Sequence, residues 1–526
     1  TGAGVLFDLA LRGLRVILVE QNDIATGTSG RYHGLLHSGA RYVVRDPESA
    51  RECIEENVIL RRIAPHAIEN TDGLFISMPP DDPAYIDPWI KGCHAAGIPV
   101  ERVPVAEVLR AHPALNPAMR DAYRVPDGAC DSFDLIHSLC EGAAAHGGQT
   151  LTYHRLVSIE AHGGKVISAI VEDRRTGEQK RIGAAMIVNA AGPWAGEVGR
   201  MAGVPIRMSL SKGIMIAMNI RWVNTIINRL DAPGDGDILV PVGTVCVIGT
   251  TSVPVAHPDD LTITPEEVSQ MLDEGEVMIP GFRKARALRA WAGVRPLYDS
   301  PAHHHDEHHA FQDESGRWVT RTFTVLDHAE DGVAGMLSIV GGKLTTYRQM
   351  AERISDQVCA HLKVRATCTT AITELPAPER ASQTRRKDGS REYHRLPNRL
   401  ERLEHAPAQT GLICECEIVT RPELEAAIAE AGPGVSLDDL RRDLRLGMGP
   451  CQGGFCAYRA AGILQQACGL PSHEAIEALR AFLQERFRGN RPLLWGHQLR
   501  QALLDESMYR RCLGLMPIQE AEQTHG

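Results

Sequence analysis

The first twenty residues constrain the fold of this chain more than any other segment. Apolar residues between Val5 and Leu11 recur at helical spacing, and Gly13 follows them as a residue that commonly ends a helix. The run Val16–Val19 predicts a buried parallel strand, which ends at Glu20. A helix, a tight turn, a strand and a terminal acid form the second half of a Rossmann βαβ unit. The acid of such a unit accepts hydrogen bonds from a ribose.

Gly2 occupies the position of the third glycine in the fingerprint G-x-G-x-x-G, where the helix packs closely on the sheet. We expect the first strand and the first two glycines of this unit to precede Thr1, which is not an initiator methionine. Half a fingerprint also fits any βαβ unit. The nucleotide interpretation therefore depends on signals elsewhere in the chain.

Two later segments favour a flavin nucleotide. Ala184–Asn189 predicts a strand that runs into small residues as far as Gly192, and backbone there can pass close to a flat ligand. Leu337–Val340 predicts another strand, followed by two glycines, a lysine and a predicted helix over Thr345–Leu362. Such a helix start favours negative charge on whatever binds there. A reduced flavin carries such charge at its N1–C2=O edge and NAD needs no such feature, so FAD is the better ligand. The candidate cofactor-binding residues are Gly2, Glu20, Gly192, Gly341, Gly342, Lys343 and Thr345.

Four cysteines near the C-terminus form a second informative pattern. Cys414 and Cys416 are separated from Cys451 and Cys456 by 34 residues, and the second pair lies in a glycine-rich stretch from Gly447 to Gly454. Four thiolates from two short loops are the ligands of a 2Fe–2S cluster, whereas zinc sites usually space their cysteines as C-x2-4-C. The glycines let backbone N–H groups approach the cluster. The alternatives are a disulfide pair or four unrelated thiols.

Three basic residues are candidates for binding a phosphate group. Arg295, Arg321 and Lys343 each lie at a predicted junction of strand and loop, near glycine or proline. An arginine offers a planar fork of donors and a lysine adds a point charge, so such a cluster suits a phosphate dianion better than a carboxylate. Taken singly, each of these residues also fits an ordinary ion pair.

The loop Gly34–Tyr42 contains a second candidate group, made of His37, Arg41 and Tyr42. A histidine beside a flavin can accept the proton of a substrate hydroxyl, because its ordinary pKa suits neutral pH. The alternative is a histidine whose ring is hydrogen-bonded within a tight loop.

Composition excludes several other classes of protein. The 526 residues carry a formal charge of −10, which argues against nucleic-acid binding, and contain no apolar run long enough to span a membrane. Thirteen cysteines and no signal peptide indicate a reducing compartment. The histidine-rich run His303–His309 lacks the spacing of metal ligands, so we expect a mobile loop there.

Taken together, these motifs resemble the large (A) subunits of anaerobic glycerol-3-phosphate dehydrogenases. The region of the four C-terminal cysteines also resembles a bacterioferritin-associated ferredoxin-like domain. The matching stretches extend almost from end to end and lie at residues 11–20, 23–27, 33–42, 48–54, 187–192, 292–297, 341–348, 414–417 and 448–453.

This resemblance implies a flavoprotein that oxidises sn-glycerol 3-phosphate to dihydroxyacetone phosphate in anaerobic glycerol catabolism. It implies partners, namely a second flavoprotein-type subunit and a membrane-attached iron–sulfur subunit that passes electrons to quinone. The chain would then be cytoplasmic and peripheral at the inner face of the membrane. It further implies catalytic roles for His37, Arg41 and Lys343, and substrate binding by Arg41, Tyr42, Arg295, Arg321, Lys343 and Thr345.

The predicted fold is α/β, with a Rossmann-type FAD-binding domain, an interleaved α+β substrate domain and a small C-terminal helical cluster domain. The oxidoreductase domain is expected at 1–375, with its FAD-binding parts at about 1–75, 150–200 and 325–375. A linker is expected at 376–408, the ferredoxin-like domain at 409–465 and a helical extension at 466–526. Two other functions stay open: an amino-acid or imino-acid dehydrogenase component, and a non-enzymatic electron-transfer module.

Overall fold

The computed structural model describes residues 1–298, 320–377 and 411–515. The predicted mobile loop at His303–His309 and nearly all of the predicted linker at 376–408 lie outside these residues. In the described part of the chain, no helix is both long enough and apolar enough to cross a membrane.

Helices and strands alternate through the first two thirds of the chain, and helices dominate the last third. The helices are α1 Gly2–Leu11, α2 Pro47–Ile63, α3 Ile86–Ala96, α4 Val105–Ala111, α5 Ser132–Ala145, α6 Ala195–Met201, α7 Pro265–Met278, α8 Tyr347–Leu362, α9 Arg421–Ala431, α10 Leu437–Leu444, α11 Ala457–Cys468, α12 Ser472–Phe487 and α13 Gly496–Ser507. The strands are β1 Ile17–Val19, β2 Leu35–Leu36, β3 Ile68–Glu69, β4 Gly73–Ser77, β5 Glu101–Arg102, β6 Asp121–Val125, β7 Gly128–Cys130, β8 Gln149–Leu151, β9 His154–His162, β10 Lys165–Asp173, β11 Gln179–Gly183, β12 Ile187–Asn189, β13 Met208–Met218, β14 Ile226–Arg229, β15 Ile238–Val242, β16 Val245–Gly249, β17 Val253–Pro254, β18 Ala287–Tyr298, β19 Phe323–Asp327, β20 Met336–Gly341, β21 Leu412–Cys414 and β22 Val419–Thr420.

The N-terminal unit confirms the predicted helix, turn and parallel strand. Gly13 has a φ of 78° and follows α1, as expected of a glycine that ends a helix. Strand β1 pairs in parallel with β8 through Leu18 and Thr150. The prediction that β1 is buried was wrong: Ile17 is 40% exposed, and Leu18 and Val19 are only partly buried. Among the described residues, β8 is the strand that pairs with β1 and covers one of its edges.

A second parallel pair continues the Rossmann pattern. Strand β12 pairs in parallel with β20, which pairs with β19 on its other side. Helix α8 follows β20 and buries Met350, Ile354 and Val358 against Val5 and Leu9 of α1. Apolar residues at a spacing of three or four form this face of α8. The helix begins at Tyr347, two residues after the predicted start, and ends at Leu362 as predicted.

The inserted domain is built on a nine-stranded, mostly antiparallel sheet. Its strand order is β17–β13–β16–β15–β14–β4–β6–β5, and β18 pairs with β13 along the whole length of its other edge. Alternate residues of β13, such as Ile214 and Ile216, face the largest apolar core, which α7 covers with Met271 and Leu272. The polar residues of the long strand β18 therefore lie on the face of the sheet away from this apolar core, or at the end of the sheet.

The C-terminal region forms a separate helical core around the cysteines. Strands β21 and β22 form a short hairpin, and α9–α12 bury Leu424, Leu440, Leu464 and Phe482 together with Cys414. This region is in contact with the oxidoreductase part through polar pairs. In one such pair, the Tyr153 hydroxyl donates to Asp439 Oδ1 at 2.6 Å.

Candidate active site and cysteine cluster

The carboxyl ends of β1, β12 and β20 lead into the candidate cofactor-binding residues. Gly2 lies between two of these strands: a Cβ at Gly2 would be 3.3 Å from Leu18 Cδ1 and 3.7 Å from Ala190 Cβ. Glu20 follows β1, and its Oε1 accepts from the Asn22 N–H at 3.1 Å. Burial raises the pKa of Glu20, and the backbone hydrogen bond from Asn22 partly opposes that effect.

The turn after β20 forms a backbone cradle without room for side chains. Gly341 and Gly342 have φ values of 80° and 73°. A Cβ at Gly341 would be 2.5 Å from the Thr322 carbonyl oxygen, and one at Gly342 would be 2.4 Å from Met350 Sδ. Gly192, after β12, also has a positive φ of 58° and meets nothing within 4 Å. These positions fit the close passage of a flat cofactor along the backbone.

The loop that carries His37 is held in place by buried side chains from three other segments. Asp127 Oδ1 accepts from the Ser38 N–H at 2.7 Å, and the Trp89 indole donates to the Ala40 carbonyl at 2.8 Å. The Asn57 side-chain amide donates to the His37 carbonyl at 3.1 Å. The His37 N–H in turn donates to Thr345 Oγ1 at 3.3 Å, which joins this loop to the glycine turn.

The structure brings all of the predicted substrate-binding residues to one place, although Arg295 sits differently from its prediction. Arg295 lies inside the twelve-residue strand β18, paired with Ser211, and not at a junction of strand and loop. Its guanidinium donates to Thr250 Oγ1 at 2.5 Å and to the Thr251 carbonyl at 2.9 Å. Burial first, and then the charges of Arg321 and Arg41, lower the pKa of Arg295 to about 9.

The other cations of this site have different surroundings. Arg41 forms a salt bridge with Asp237 at 2.7 Å. Burial alone would lower the pKa of Arg41, but the ion pair outweighs burial, so the pKa lies above its ordinary value. The Lys343 ammonium donates to Ser49 Oγ and to the Arg321 carbonyl, and lies 5.0 Å from the centre of the Tyr42 ring.

His37 is neutral at this site. Burial first, and then the neighbouring basic side chains, hold the pKa of His37 well below its ordinary value. Its Nε2 lies 3.5 Å from the Tyr42 hydroxyl, and its ring is tilted against the Tyr42 ring at 5.3 Å between centroids. A neutral imidazole has one nitrogen lone pair with which it can accept a proton.

His33 is a second histidine of the site that the sequence interpretation missed. Its ring centroid lies 6.0 Å from that of His37, and burial, with the charges of Arg41 and Arg295, lowers the pKa of His33 to about 3. Its Nδ1 accepts from the Leu35 N–H at 3.2 Å, so its Nε2 carries the proton. Two carboxylates were also missed, since no local pattern shows which distant group each acid meets: Asp46 accepts from the Arg321 backbone N–H at 2.8 Å, and Asp237 pairs with Arg41.

The four cysteines of the C-terminal pattern lie side by side. Their sulfur atoms are in hydrogen-bonding contact in the order Cys416, Cys451, Cys456, Cys414, and all four are free thiols rather than disulfides. Hydrogen bonds from the Cys416 and Cys456 thiols, and then backbone N–H groups, lower the pKa of Cys451. A Cβ at Gly449 would be 2.2 Å from Cys416 Cβ, so only glycine fits there.

This thiol arrangement fits a two-iron cluster. Four thiols in a row of contacts can provide two ligands for each of two irons. The backbone N–H groups of Gly453 and Phe455 point at the Cys451 sulfur, as they do around sulfur ligands of clusters.

Comparisons with known proteins identify the family. Residues 1–348 match the family described as FAD dependent oxidoreductase, and residues 412–466 match the BFD-like [2Fe-2S] binding domain. The chain is 44% identical to the A subunit of anaerobic glycerol-3-phosphate dehydrogenase from Escherichia coli (strain K12), over 98% of this chain and 95% of that protein. The chain belongs to the family of anaerobic glycerol-3-phosphate dehydrogenase A subunits.

Other members of this A-subunit family are similarly close. The corresponding A subunit of Haemophilus influenzae is 41% identical over 99% of this chain and 93% of that protein. The A1 subunit of Haloferax volcanii is 40% identical over 97% and 88%. The predicted FAD-binding domain and cluster domain are thereby confirmed.

Solved structures agree with the fold of this family. A glycerol-3-phosphate dehydrogenase from Bacillus halodurans complexed with FAD superposes with a TM-score of 0.55 at 23% identity, covering 97% of this chain and 83% of that one. L-proline dehydrogenase from P. horikoshii superposes with a TM-score of 0.54 at 17% identity, covering 68% and 90%. At these identities the likeness concerns the fold alone.

Proposed function

We propose that this protein oxidises sn-glycerol 3-phosphate to dihydroxyacetone phosphate, with FAD as the hydride acceptor. One observation carries the proposal: Arg295, Arg321 and Lys343 meet beside neutral His37, and none of the three has a salt bridge to a carboxylate of the described residues. Surplus cations at a half-buried site favour a dianion, and a phosphate monoester is the dianion that this enzyme family handles.

The substrate would be oriented by its phosphate. Hydrogen bonds to Thr250 and Thr251 hold the Arg295 guanidinium in place, so its N–H groups are already oriented to bind two phosphate oxygens. Lys343 adds a point charge from the turn after β20. Arg41 is already paired with Asp237, so we assign it to shaping the pocket and to lowering the pKa of His37. Holding the reacting carbon in place supplies much of the rate acceleration.

His37 would take the proton of the C2 hydroxyl. The O–H bond breaks toward the His37 imidazole while the C2–H bond breaks with its electron pair, and a carbonyl forms. Bound FAD supplies the two-electron acceptor for that hydride. His37 suits this role better than His33, because Nδ1 of His33 is already occupied by the Leu35 N–H and its Nε2 carries a proton. Burial and the surrounding cations keep His37 unprotonated before the reaction, and the negative charge of a bound phosphate would offset those cations as the imidazole takes up the proton.

The cofactors would be held by the residues already described. Glu20 would accept from a ribose, and Gly2, Gly192, Gly341 and Gly342 would admit the cofactor close to the backbone. Thr345 and Lys343 border the same turn. Cys414, Cys416, Cys451 and Cys456 would ligate a 2Fe–2S cluster, which carries single electrons away from the two-electron flavin chemistry.

We also propose the surroundings in which the chain works. Its relatives are named as A subunits, which supports an assembly with other subunits. We infer a second flavoprotein-type subunit and a membrane-attached iron–sulfur subunit that delivers electrons to quinone, which would place this chain at the inner face of the cytoplasmic membrane. Within the chain we propose an oxidoreductase domain at 1–375, a linker at 376–408, a ferredoxin-like domain at 409–465 and a helical extension at 466–526.

A second candidate function is oxidation of an amino or imino acid. The fold shared with L-proline dehydrogenase supports it at the level of architecture. The surplus of cations beside His37 opposes it, because an amino acid brings one carboxylate and one ammonium, and its net charge of zero suits Arg295, Arg321 and Lys343 less well than a phosphate dianion. A purely electron-transferring module has no need of this pocket.

The deciding experiment is anaerobic mixing of the FAD-loaded chain with substrate. We expect sn-glycerol 3-phosphate to bleach the visible flavin absorbance rapidly, and L-proline and glycine to leave it unchanged. Arg110→Ala, an exposed substitution on α4, serves as the control for handling of the protein. Bleaching by an amino acid with none by glycerol phosphate would replace the proposed substrate, and no bleaching by any of them would favour the electron-transfer module.

A further inference from the structure

A buried carboxylate, that of Glu417, lies directly beside the four cysteines of the cysteine-rich part. Glu417 follows Cys416 in the chain, and its side chain is 1% exposed. A Cβ at Gly449 would lie 3.2 Å from Glu417 Oε1 and 3.3 Å from Cys416 Sγ, so both atoms border the same small space. Because little water reaches this carboxylate, its charge is weakly screened and acts strongly on the cysteines.

Two donors from different parts of the chain hold this carboxylate. The Thr244 hydroxyl donates to Glu417 Oε1 at 2.9 Å, and Arg445 Nε donates to Oε2 at 3.1 Å. Thr244 lies in the turn between β15 and β16 of the large sheet, whereas Arg445 directly follows α10. The Glu417 side chain therefore connects the inserted domain to the cysteine-rich part, and its position depends on how the two meet.

Arg445 does not fully balance the charge of Glu417. The same guanidinium also pairs with the buried carboxylate of Asp131, through Nη1 at 3.2 Å. One cation thus serves two carboxylates, and the three side chains together carry one net negative charge.

Other charged groups near the cysteines offset one another or lie in solvent. Arg286 donates to a carbonyl of the cysteine loop, and its charge and that of Asp505 are opposite and act on each other. Glu415 pairs with Arg459 and is 54% exposed. Of these three acids, Glu417 is the one that is buried beside the sulfurs and shares its cation with a further carboxylate.

Glu417 acts on the sulfur of Cys414 in two opposing ways. The hydrogen bond from the Cys456 thiol is the main cause that lowers the pKa of Cys414, and the backbone N–H of Glu417 adds to this effect. The negative charge of the Glu417 side chain raises the same pKa. The side chain therefore disfavours additional negative charge on the sulfurs, and the backbone compensates for part of this.

We propose that the Glu417 side chain lowers the reduction potential of the 2Fe–2S cluster that the four cysteines would hold. This role depends on the cluster proposed above. Reduction adds one electron, supplied by the substrate oxidation, to a group that four thiolates already make anionic. A buried negative charge beside this group raises the free energy of its reduced form. A lower potential makes the reduced cluster a stronger donor, so Glu417 favours transfer of the electron to the next one-electron carrier.

The test is a redox titration of the iron-loaded full chain with mediator dyes, followed by EPR of the reduced cluster. Glu417→Gln removes the charge and keeps an oxygen that can accept from Thr244 or Arg445. We expect it to shift the one-electron equilibrium about tenfold toward the reduced cluster, which is a rise of ~59 mV in midpoint potential. Glu415→Gln is the matched control from the same C-E-C-E stretch, and its shift should be much smaller, because water screens an exposed carboxylate.

Thr244→Val provides a second test with the opposite sign. This substitution removes one donor and leaves the carboxylate in place, so the charge of Glu417 is less compensated and the midpoint potential should fall. A role in packing alone would not move the potential in opposite directions in the two variants. Thr244→Val also decides the matter where Glu417→Gln fails to retain iron.

Each outcome separates this role from the proposed cluster. Full iron content with an unchanged midpoint in Glu417→Gln, or an equal shift in Glu415→Gln, would overturn the role of Glu417 and leave the cluster standing. An unchanged or higher midpoint in Thr244→Val would overturn it as well. Absence of iron and of an EPR signal in the unsubstituted chain would overturn the proposed cluster and this role together. The mediators reduce the cluster without substrate, so none of these results depends on the oxidation of sn-glycerol 3-phosphate.

Discussion

At the residue scale, the pocket around His37 is defined by positive charge that the protein itself leaves unbalanced. Arg295 shows this most clearly, because hydroxyl and carbonyl oxygens hold its guanidinium and no carboxylate of the described residues does. Those neutral acceptors orient the fork without cancelling its charge. The charge is therefore available to a ligand, and burial strengthens the interaction by excluding water.

Arg295→Ala should raise KM for sn-glycerol 3-phosphate by about ten- to a hundredfold, the loss expected for one or two charged hydrogen bonds. Arg295→Lys should recover only part of this loss, because an ammonium cannot offer the planar fork. The measurement is anaerobic steady-state kinetics with a dye acceptor, with Arg110→Ala as the exposed control. An unchanged KM in Arg295→Ala would remove this residue from the phosphate site.

His33 should make the stability of the protein depend on pH. Its folded pKa of about 3 lies below its ordinary value of 6.5, so below pH 6.5 the unfolded chain binds a proton that the folded chain does not. The sign follows: stability falls as pH drops through this window, by at most about 1.4 kcal/mol per pH unit. Tm should therefore decrease from pH 6.5 to pH 5, and His33→Gln should decrease less. Parallel curves for the two proteins would contradict this assignment.

At the element scale, the turn between β20 and α8 sets the shape of the cofactor edge. Gly342→Ala should destabilise the protein, because φ is 73° and the new Cβ would lie 2.4 Å from Met350 Sδ. Gly332→Ala is the matched control, with a φ of 82° and nothing within 4 Å. The left-handed backbone costs about 1–2 kcal/mol in both variants, and overpacking adds roughly 1–3 kcal/mol in Gly342→Ala alone.

Thermal unfolding and FAD content measure this difference. We expect Gly342→Ala to have the lower Tm and to retain less FAD than Gly332→Ala. Equal Tm values would show that Met350 moves aside at little cost, and that the turn tolerates a side chain.

Elements with strong local signals could be predicted from the sequence. The spacing of apolar residues and the positions of glycine predicted α1, β1, β12, β20 and α8 to within a few residues. The position of Arg295 could not be predicted, because the proline after it suggested a loop while β18 continues to Tyr298. Pairing with β13 on one side keeps this strand extended past the proline.

The chemistry of the site was predictable by residue type and not by partner. His37, Arg41 and Lys343 were selected as candidates from their motifs, whereas the second histidine and the acids were not. Asp237 meets Arg41 across 196 residues of sequence, and Asp127 meets Ser38 across 89. Such contacts depend on how the sheets assemble, and a single sequence carries no record of that.

At the scale of the whole molecule, buried charge pairs join the cysteine-rich part to the oxidoreductase part. Arg442, which is 4% exposed, meets Asp23 across 419 residues of sequence. Arg445 meets Asp131 across 314 residues, and Asp439 accepts from Tyr153 across 286. Losing one partner of a buried pair leaves an uncompensated charge, so these contacts favour one relative placement of the two parts.

Because the cysteine site and the proposed flavin site lie in different parts of the chain, substitution should disable one without the other. Cys451→Ser should abolish iron and acid-labile sulfide, because one of the two inner sulfurs in the row of four contacting thiols is lost. Flavin bleaching by sn-glycerol 3-phosphate should persist, since His37, Arg295 and Lys343 belong to the other part of the chain.

Cys468→Ser is the matched control, because Cys468 is an exposed free thiol of the same region. It should keep both the iron and the bleaching. Iron and sulfide analysis and anaerobic spectroscopy on the same samples test the pair. Full iron content in Cys451→Ser would remove this thiol from the ligand set. Loss of bleaching together with iron would mean that the cysteine-rich part is required for the flavin site itself, because the charged contacts at Arg442 and Arg445 transmit its collapse across the interface.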